Sequence, residues 1–154
     1  MKPINLKRLL ISIAIPLAVG GLSTLLTGRY DNFQTLTKPP LSPPAWLFPI
    51  VWTILYILMG IAAYNVTDPK NRNTDRAMGF YYAQLAANFL WPLVFFSAEM
   101  YALAAILLIV LILLIIATML EFGQINRTAA LLLIPYLLWC AFALYLNIGV
   151  AVLN

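Results

Sequence analysis

The sequence is 154 residues long, 64% hydrophobic and 9% charged, with a formal net charge of +4, no histidine and one cysteine. Soluble domains carry about 25% charged residues, so this chain needs lipid as its solvent and leaves no room for a separate soluble catalytic or nucleic-acid-binding domain; its positive charge reads as loop charge that fixes topology, not as a nucleic-acid footprint. The lack of histidine and the lone Cys140, set in an apolar stretch, exclude disulfides, zinc sites, histidine acid-base catalysis and histidine-ligated haem, so no metal or cofactor is expected. Cys140 reads as a small packing residue, because a thiol in apolar surroundings stays protonated.

A span of a hydrocarbon core about 30 Å thick needs about 20 apolar residues at a rise of about 1.5 Å each. Five such spans and their connectors use up the whole chain, which predicts an all-α membrane protein built as one five-helix bundle over residues 1–154. The first helix is expected over about 6–27, after Lys2, Lys7 and Arg8, with a kink at Pro16. Its apolar run is longer than a signal peptide's, and no clear cleavage site follows, so it is read as retained. Residues 28–45 form a stiff, extended connector, since Lys38-Pro39-Pro40-Leu41-Ser42-Pro43-Pro44 has four positions without a backbone donor. Further helices are expected over about 46–66, 77–97, 101–120 and 128–153. The fourth of the five is the most uniformly aliphatic and reads as lipid-facing.

Alternating the loops between the two sides puts Lys2, Lys7, Arg8, Lys70, Arg72, Arg76 and Arg127 together, against Arg29 and Lys38. The positive-inside rule then sets the N-terminus in the cytoplasm and the proline-rich loop outside. The acids Asp31, Asp68, Asp75, Glu99 and Glu121 fall in loops or at span ends and read as solvated charge, so no acid-base pair is visible.

Polar groups in mid-span are costly and therefore informative. Gln84, Asn88, Trp91 and Phe95 recur at spacings of four, three and four, one face of a helix. Pro92 also leaves the carbonyl of Asn88 without its usual backbone donor. Trp52, Tyr56 and Met59 form a similar stripe, and so do Tyr136, Trp139, Ala143 and Asn147. Two readings stand for these stripes. The amides and aromatics either bond neighbouring helices and the membrane interface, or wall a cavity for a flat, apolar ligand with a few polar edges. Trp46, near a helix end, fits the interface; Trp91 and Trp139 lie too deep for it. Gly79, Ala83 and Ala87 make a ridge of small residues on another face of the third helix, suited either to a homodimer contact or to packing within the bundle.

These residues, in this order, resemble the translocator protein family, also called tryptophan-rich sensory proteins or peripheral-type benzodiazepine receptors. The matching stretches are Lys38-Pro39, Pro43-Pro44-Ala45-Trp46-Leu47-Phe48-Pro49, Val51-Trp52-Thr53 with Leu55-Tyr56 and Met59-Gly60, Gln84-Leu85-Ala86 with Asn88, Trp91-Pro92, Phe95-Phe96, and Pro135-Tyr136-Leu137 with Trp139, Ala143, Leu146 and Asn147. The resemblance implies a five-helix bundle, often dimeric, that binds porphyrins, sterols and synthetic aromatic ligands under the first loop. It places Trp52, Asn88, Trp91, Trp139 and Ala143 in that pocket, and the segment holding Phe33, Lys38, Pro39, Leu41, Pro43, Pro44 and Trp46 over it. It implies a second reading as well, a light-dependent degradation of porphyrin through Trp52 and Trp139. Two positions depart from the family pattern: Leu41 stands where a tryptophan is usual and Phe33 where a tyrosine is common. The basic residue of the sterol-recognition pattern does not follow Tyr145, which favours tetrapyrroles over sterols. A transporter reading finds neither inverted repeats nor paired broken helices.

Overall fold

The computed structural model describes residues 3–28, 32–71 and 74–154. The described residues form α1 (Leu6–Thr27), α2 (Asn32–Thr35), α3 (Leu47–Val66), α4 (Thr74–Pro92) prolonged by a π-helical turn (Leu93–Ser97), α5 (Tyr101–Ile125), α6 (Arg127–Leu132) and α7 (Ile134–Leu153), with no strand among them. Among the described residues four rods are long and apolar enough to cross a membrane: α1, α3, α5, and α6 together with α7. The chain is thus an all-α, multi-pass integral membrane protein. The expected count of five is met by length and composition for these four only. The remaining long rod, α4, carries Gln84 and Asn88 through its middle and falls outside that group.

Local chemistry sets the helix ends. Asn5 caps α1 by accepting from the Arg8 N–H at 3.1 Å, and Asn126 caps α6 by accepting from Ala129 N–H at 3.1 Å. Gly28 closes α1 with φ +62°, a left-handed conformation open to glycine without penalty. Helix α4 begins at Thr74, earlier than expected, because Asp75 suits the positive end of a helix dipole. Helix α5 runs on to Ile125, past the expected Leu120, and its added turn carries Glu121 to Arg76, 3.1 Å away. The expected single helix over 128–153 is broken at Leu133, one residue before the Ile134-Pro135 start of α7, since Pro135 supplies no N–H to the preceding turn.

The rods close a ring in which α1 packs on α3, α3 on α6, α5 on α6 and α7, α4 on α5, and α1 on α4. Gly60 makes the α1–α3 crossing possible: a Cβ there would run into the backbone of Ser12 and Ile13. Helix α5 is not simply lipid-facing. Ala104, Leu108, Leu111, Ile115, Thr118 and Phe122 bury one face in the core, while Leu103, Ile106, Val110 and Leu113 remain exposed on the other. An aliphatic helix gives no sequence contrast between a face packed on protein and one packed on lipid, which is why the two were not separable beforehand.

At one end of the bundle the Arg8 guanidinium donates to the carbonyl of Tyr64 at 2.7 Å and to Thr67 Oγ1 at 3.1 Å, and lies 3.8 Å over the Tyr64 ring. This arginine satisfies carbonyls at the C-terminus of α3, where the helix dipole favours a cation. Lys2, Arg29, Asp31 and Arg72, used in the topology argument, lie outside the described residues.

Candidate functional site

Between α1, α3, α4 and α7, at the end covered by the proline-rich loop, lies a cavity of about 330 Å³. Its floor is a chain of hydrogen bonds linking α3, α4 and α7. Tyr56 Oη donates to Asn88 Oδ1 at 2.8 Å, Asn88 Nδ2 donates to Tyr136 Oη at 2.8 Å, and Tyr136 Oη donates to Gln84 Oε1 at 2.6 Å. Gln84 Nε2 in turn faces Met59 Sδ at 4.0 Å. In an apolar bundle each of these groups would be costly alone, so the network ties three helices in one register. Tyr56 fits because Gly20 on α1 has no side chain; a Cβ there would meet the tyrosine ring.

The walls are aromatic. Trp52 stacks on Tyr56 with centroids 5.6 Å apart and meets Tyr136 edge-on at 6.2 Å. Trp91 stacks on Phe95 at 5.1 Å, and its Nε1 donates to Asn147 Oδ1 at 3.0 Å. Asn147 Nδ2 donates to the Tyr101 carbonyl at 2.9 Å, so a buried amide fixes the indole of Trp91 relative to both α5 and α7. Trp139 packs edge-on against Phe48 at 5.7 Å, and its Nε1 is buried without a hydrogen-bond partner among the described residues. The π turn after Pro92 closes the fourth side: the ladder that Pro92 interrupts resumes one residue wider, with Ala98 N–H donating to the Leu93 carbonyl at 2.9 Å. This widening brings both Phe95 and Phe96 to the cavity.

The loop is fastened to α7. Thr37 N–H donates to Asn154 Oδ1 at 3.1 Å and Asn154 Nδ2 donates back to the Thr37 carbonyl at 2.8 Å. Tyr145 Oη donates to the Pro40 carbonyl at 2.7 Å, and the buried Pro39 fills the space left by the missing side chain of Gly149. Beyond the loop is an outer cavity of about 530 Å³, lined by Phe33, Gln34, Lys38, Ser42, Pro43, Pro44 and Ala45.

The structure brings most of the sequence-derived residues together. Trp52, Tyr56, Asn88, Trp91, Phe95, Trp139, Ala143 and Asn147 line the inner cavity, with Phe33 and Lys38 from the loop. Gln84 and Tyr136 do not; they lie beneath it, in the hydrogen-bonded floor. Of the loop residues, Pro43 and Pro44 reach only the outer cavity and Pro39 serves as a wedge on α7. Leu41 and Trp46 turn outward, 82% and 66% exposed. Ala87 is buried in the core, so only Gly79 and Ala83 of the proposed ridge are exposed; among the described residues no other element comes within 4 Å of a Cβ built on Gly79. Sequence reasoning missed Gly20, Ser23 and Thr24 on α1 and Leu108 and Leu111 on α5 as lining residues. Ser23 left a usable signal as a mid-helix hydroxyl, and it donates to the Phe89 carbonyl at 2.8 Å. The two leucines left none, being indistinguishable from their neighbours.

Among the described residues Lys38 is the one charged residue in this lining, and no group of three or more histidine, cysteine or acidic side chains gathers anywhere. What the cavity offers is therefore ring stacking, apolar contact and a few fixed hydrogen bonds. Residues 12–153 match the TspO/MBR family. The chain belongs to that family. Over 150 residues it is 37% identical to the tryptophan-rich protein TspO of Chlorobaculum tepidum, covering 95% of each chain. It is 42% identical over 125 residues to a tryptophan-rich sensory protein of Cereibacter sphaeroides, covering 81% of this chain and 76% of that one. Against the human translocator protein the identity is 38% over 118 residues, 75% of this chain and 70% of the relative. The residues of this TspO/MBR member that match the family, 12–153, include all three cavity indoles.

Proposed function

We propose that this protein binds porphyrins or similar flat, hydrophobic tetrapyrroles in the cavity under its proline-rich loop, and acts in their handling or in stress sensing. The observation that carries this reading is the position of three of the chain's four tryptophans, Trp52, Trp91 and Trp139, around one cavity. Its volume lies within the range of about 300–1,000 Å³ usual for small-molecule sites. Stacking of an indole on a porphyrin face is worth about 1 kcal/mol per aromatic pair beyond area burial. The name of one relative, a tryptophan-rich sensory protein, is consistent with a sensing role. The test is saturable quenching of tryptophan fluorescence by a panel of porphyrins, haem and sterols. Saturation by tetrapyrroles alone supports the proposal; quenching that stays linear with every tetrapyrrole refutes it.

Three further parts of the reading go with it. The chain crosses the bilayer five times, with α4 and its π turn as the additional span, its amides turned inward to the floor network. The N-terminus is cytoplasmic: Lys7, Arg8, Lys70, Arg76 and Arg127 favour that side against Lys38 at the loop end. Two copies associate through the exposed Gly79 and Ala83, where small side chains permit close backbone approach.

A further inference from the structure

The inner cavity carries neutral polar groups in its floor and walls, and among the described residues its charge is that of Lys38 at the mouth. Lys38 lines it and also lines the outer cavity, as do Phe33, Ser42 and Ala45, so these four residues form the junction between the two. The Lys38 ammonium stands 4.8 Å over the Phe33 ring. Phe33 in turn packs edge-on against Phe48 and Phe96, both of which wall the inner cavity. The cation thus stands over the aromatic roof, on a residue of intermediate burial. Among the described residues its hydrogen bond to the Gln34 carbonyl, at an exposed position, is long at 3.5 Å, and no carboxylate lies within ion-pair distance of it. A cation held against low-dielectric walls without a counter-charge attracts an anion more strongly than one in open water, and the pair is strengthened by charge-assisted hydrogen bonds.

We infer that Lys38 recognises an anionic group, a carboxylate or similar oxyanion, on a ligand whose flat apolar part occupies the inner cavity. The inference rests on the ligand-binding reading above and narrows it: the site selects amphipathic acids over neutral ring systems of the same shape. It also sets their orientation. The ring enters toward Trp52 and Tyr56, and the acid stays at the junction, where the outer cavity lets water reach its remaining lone pairs.

The full chain in lipid nanodiscs is titrated with pyrenebutyrate and pyrenebutanol, which share a ring and differ in charge, and then with protoporphyrin IX and its dimethyl ester. The acid of each pair is expected to bind about tenfold tighter than its neutral partner, within the range of a partly desolvated ion pair. Lys38→Met should remove that preference, so that acid and neutral partner bind alike, while Lys38→Arg should retain it. Raising salt to about 0.5 M should narrow the preference in the wild type. Equal binding of acid and neutral forms by the wild type, or an equal loss of both in Lys38→Met, overturns the role of Lys38 while leaving the pocket intact. Failure of every member of both pairs to bind saturably overturns the pocket itself, and the inference with it.

Discussion

Trp91 and Asn147 are joined across the bundle, the indole Nε1 donating to Oδ1 at 3.0 Å while the amide nitrogen holds the Tyr101 carbonyl at 2.9 Å. One amide therefore positions a cavity wall and the first turn of α5 together. Asn147→Leu keeps the volume and removes both bonds, leaving the part-buried indole N–H of Trp91 without this acceptor and the Tyr101 carbonyl without the amide's donation. A loss of about 1–2 kcal/mol in stability is expected, given the modest worth of interhelical hydrogen bonds in membranes and the cost of orphaned partners. Thermal unfolding in detergent measures it, and an unchanged midpoint would count against the bond. A blue shift of Trp91 emission, read in a variant lacking the other tryptophans, is the second expected sign.

Tyr136 is the hub of the floor network, accepting from Asn88 and donating to Gln84. Tyr136→Phe preserves the ring that meets Trp52 but strips both amides of a partner. It should destabilise the fold by about 1–2 kcal/mol. Tyr56→Phe, which leaves Asn88 and Gln84 their bonds to Tyr136, should cost less. If the two substitutions prove equivalent, the network is not centred on Tyr136.

Trp139 lines the cavity, whereas Trp46 is 66% exposed and lies outside it. Trp139→Ala should weaken porphyrin binding by about one to a few kcal/mol through lost stacking and apolar contact. Trp46→Ala should change it much less. The comparison isolates the pocket from general tryptophan loss, and equal small effects would refute the site.

Gly60 and Gly21 offer a paired test of packing. A Cβ on Gly60 would collide with the backbone of Ser12 and Ile13, while one on Gly21 would meet nothing within 4 Å. Gly60→Ala should destabilise the α1–α3 contact by about 1–3 kcal/mol or more, since backbone cannot step aside as a side chain can. Gly21→Ala should be neutral or slightly stabilising through its better helix propensity. Equal melting points for the two variants would show that α1 and α3 do not cross at Gly60.

Leu41 holds φ at +71° while 82% exposed. A left-handed leucine costs roughly 1–2 kcal/mol relative to a residue that accepts this region. Leu41→Gly or Leu41→Asn should therefore raise the melting temperature slightly or leave it unchanged, in contrast to any other leucine-to-glycine change in the chain. A marked drop in stability would mean that the side chain makes a contact that outweighs the strain.

The sequence by itself determined the solvent of this protein and the helix faces that carry most of the aromatic and amide side chains of the cavity. Composition required lipid, and apolar run length set the positions of α1, α3 and α5 to within a few residues. Helical spacing grouped Trp52 with Tyr56, Asn88 with Trp91, and Trp139 with Ala143 and Asn147, because a rod with a fixed angle per residue makes same-face neighbours a matter of counting. Tertiary structure decided how those faces meet. Tyr136 and Gln84 share stripes with Trp139 and Asn88, yet they lie below the cavity, since the depth at which stripes on different helices cross depends on packing and not on spacing. Leu108 and Leu111 became lining residues, and Ala87 a core residue, for the same reason: on an apolar helix only the neighbour determines which face is covered. The loop was legible as stiff from its prolines. Its fastening to Gly149, Tyr145 and Asn154 was not, because those contacts join segments more than a hundred residues apart, and no local pattern encodes a meeting at that distance.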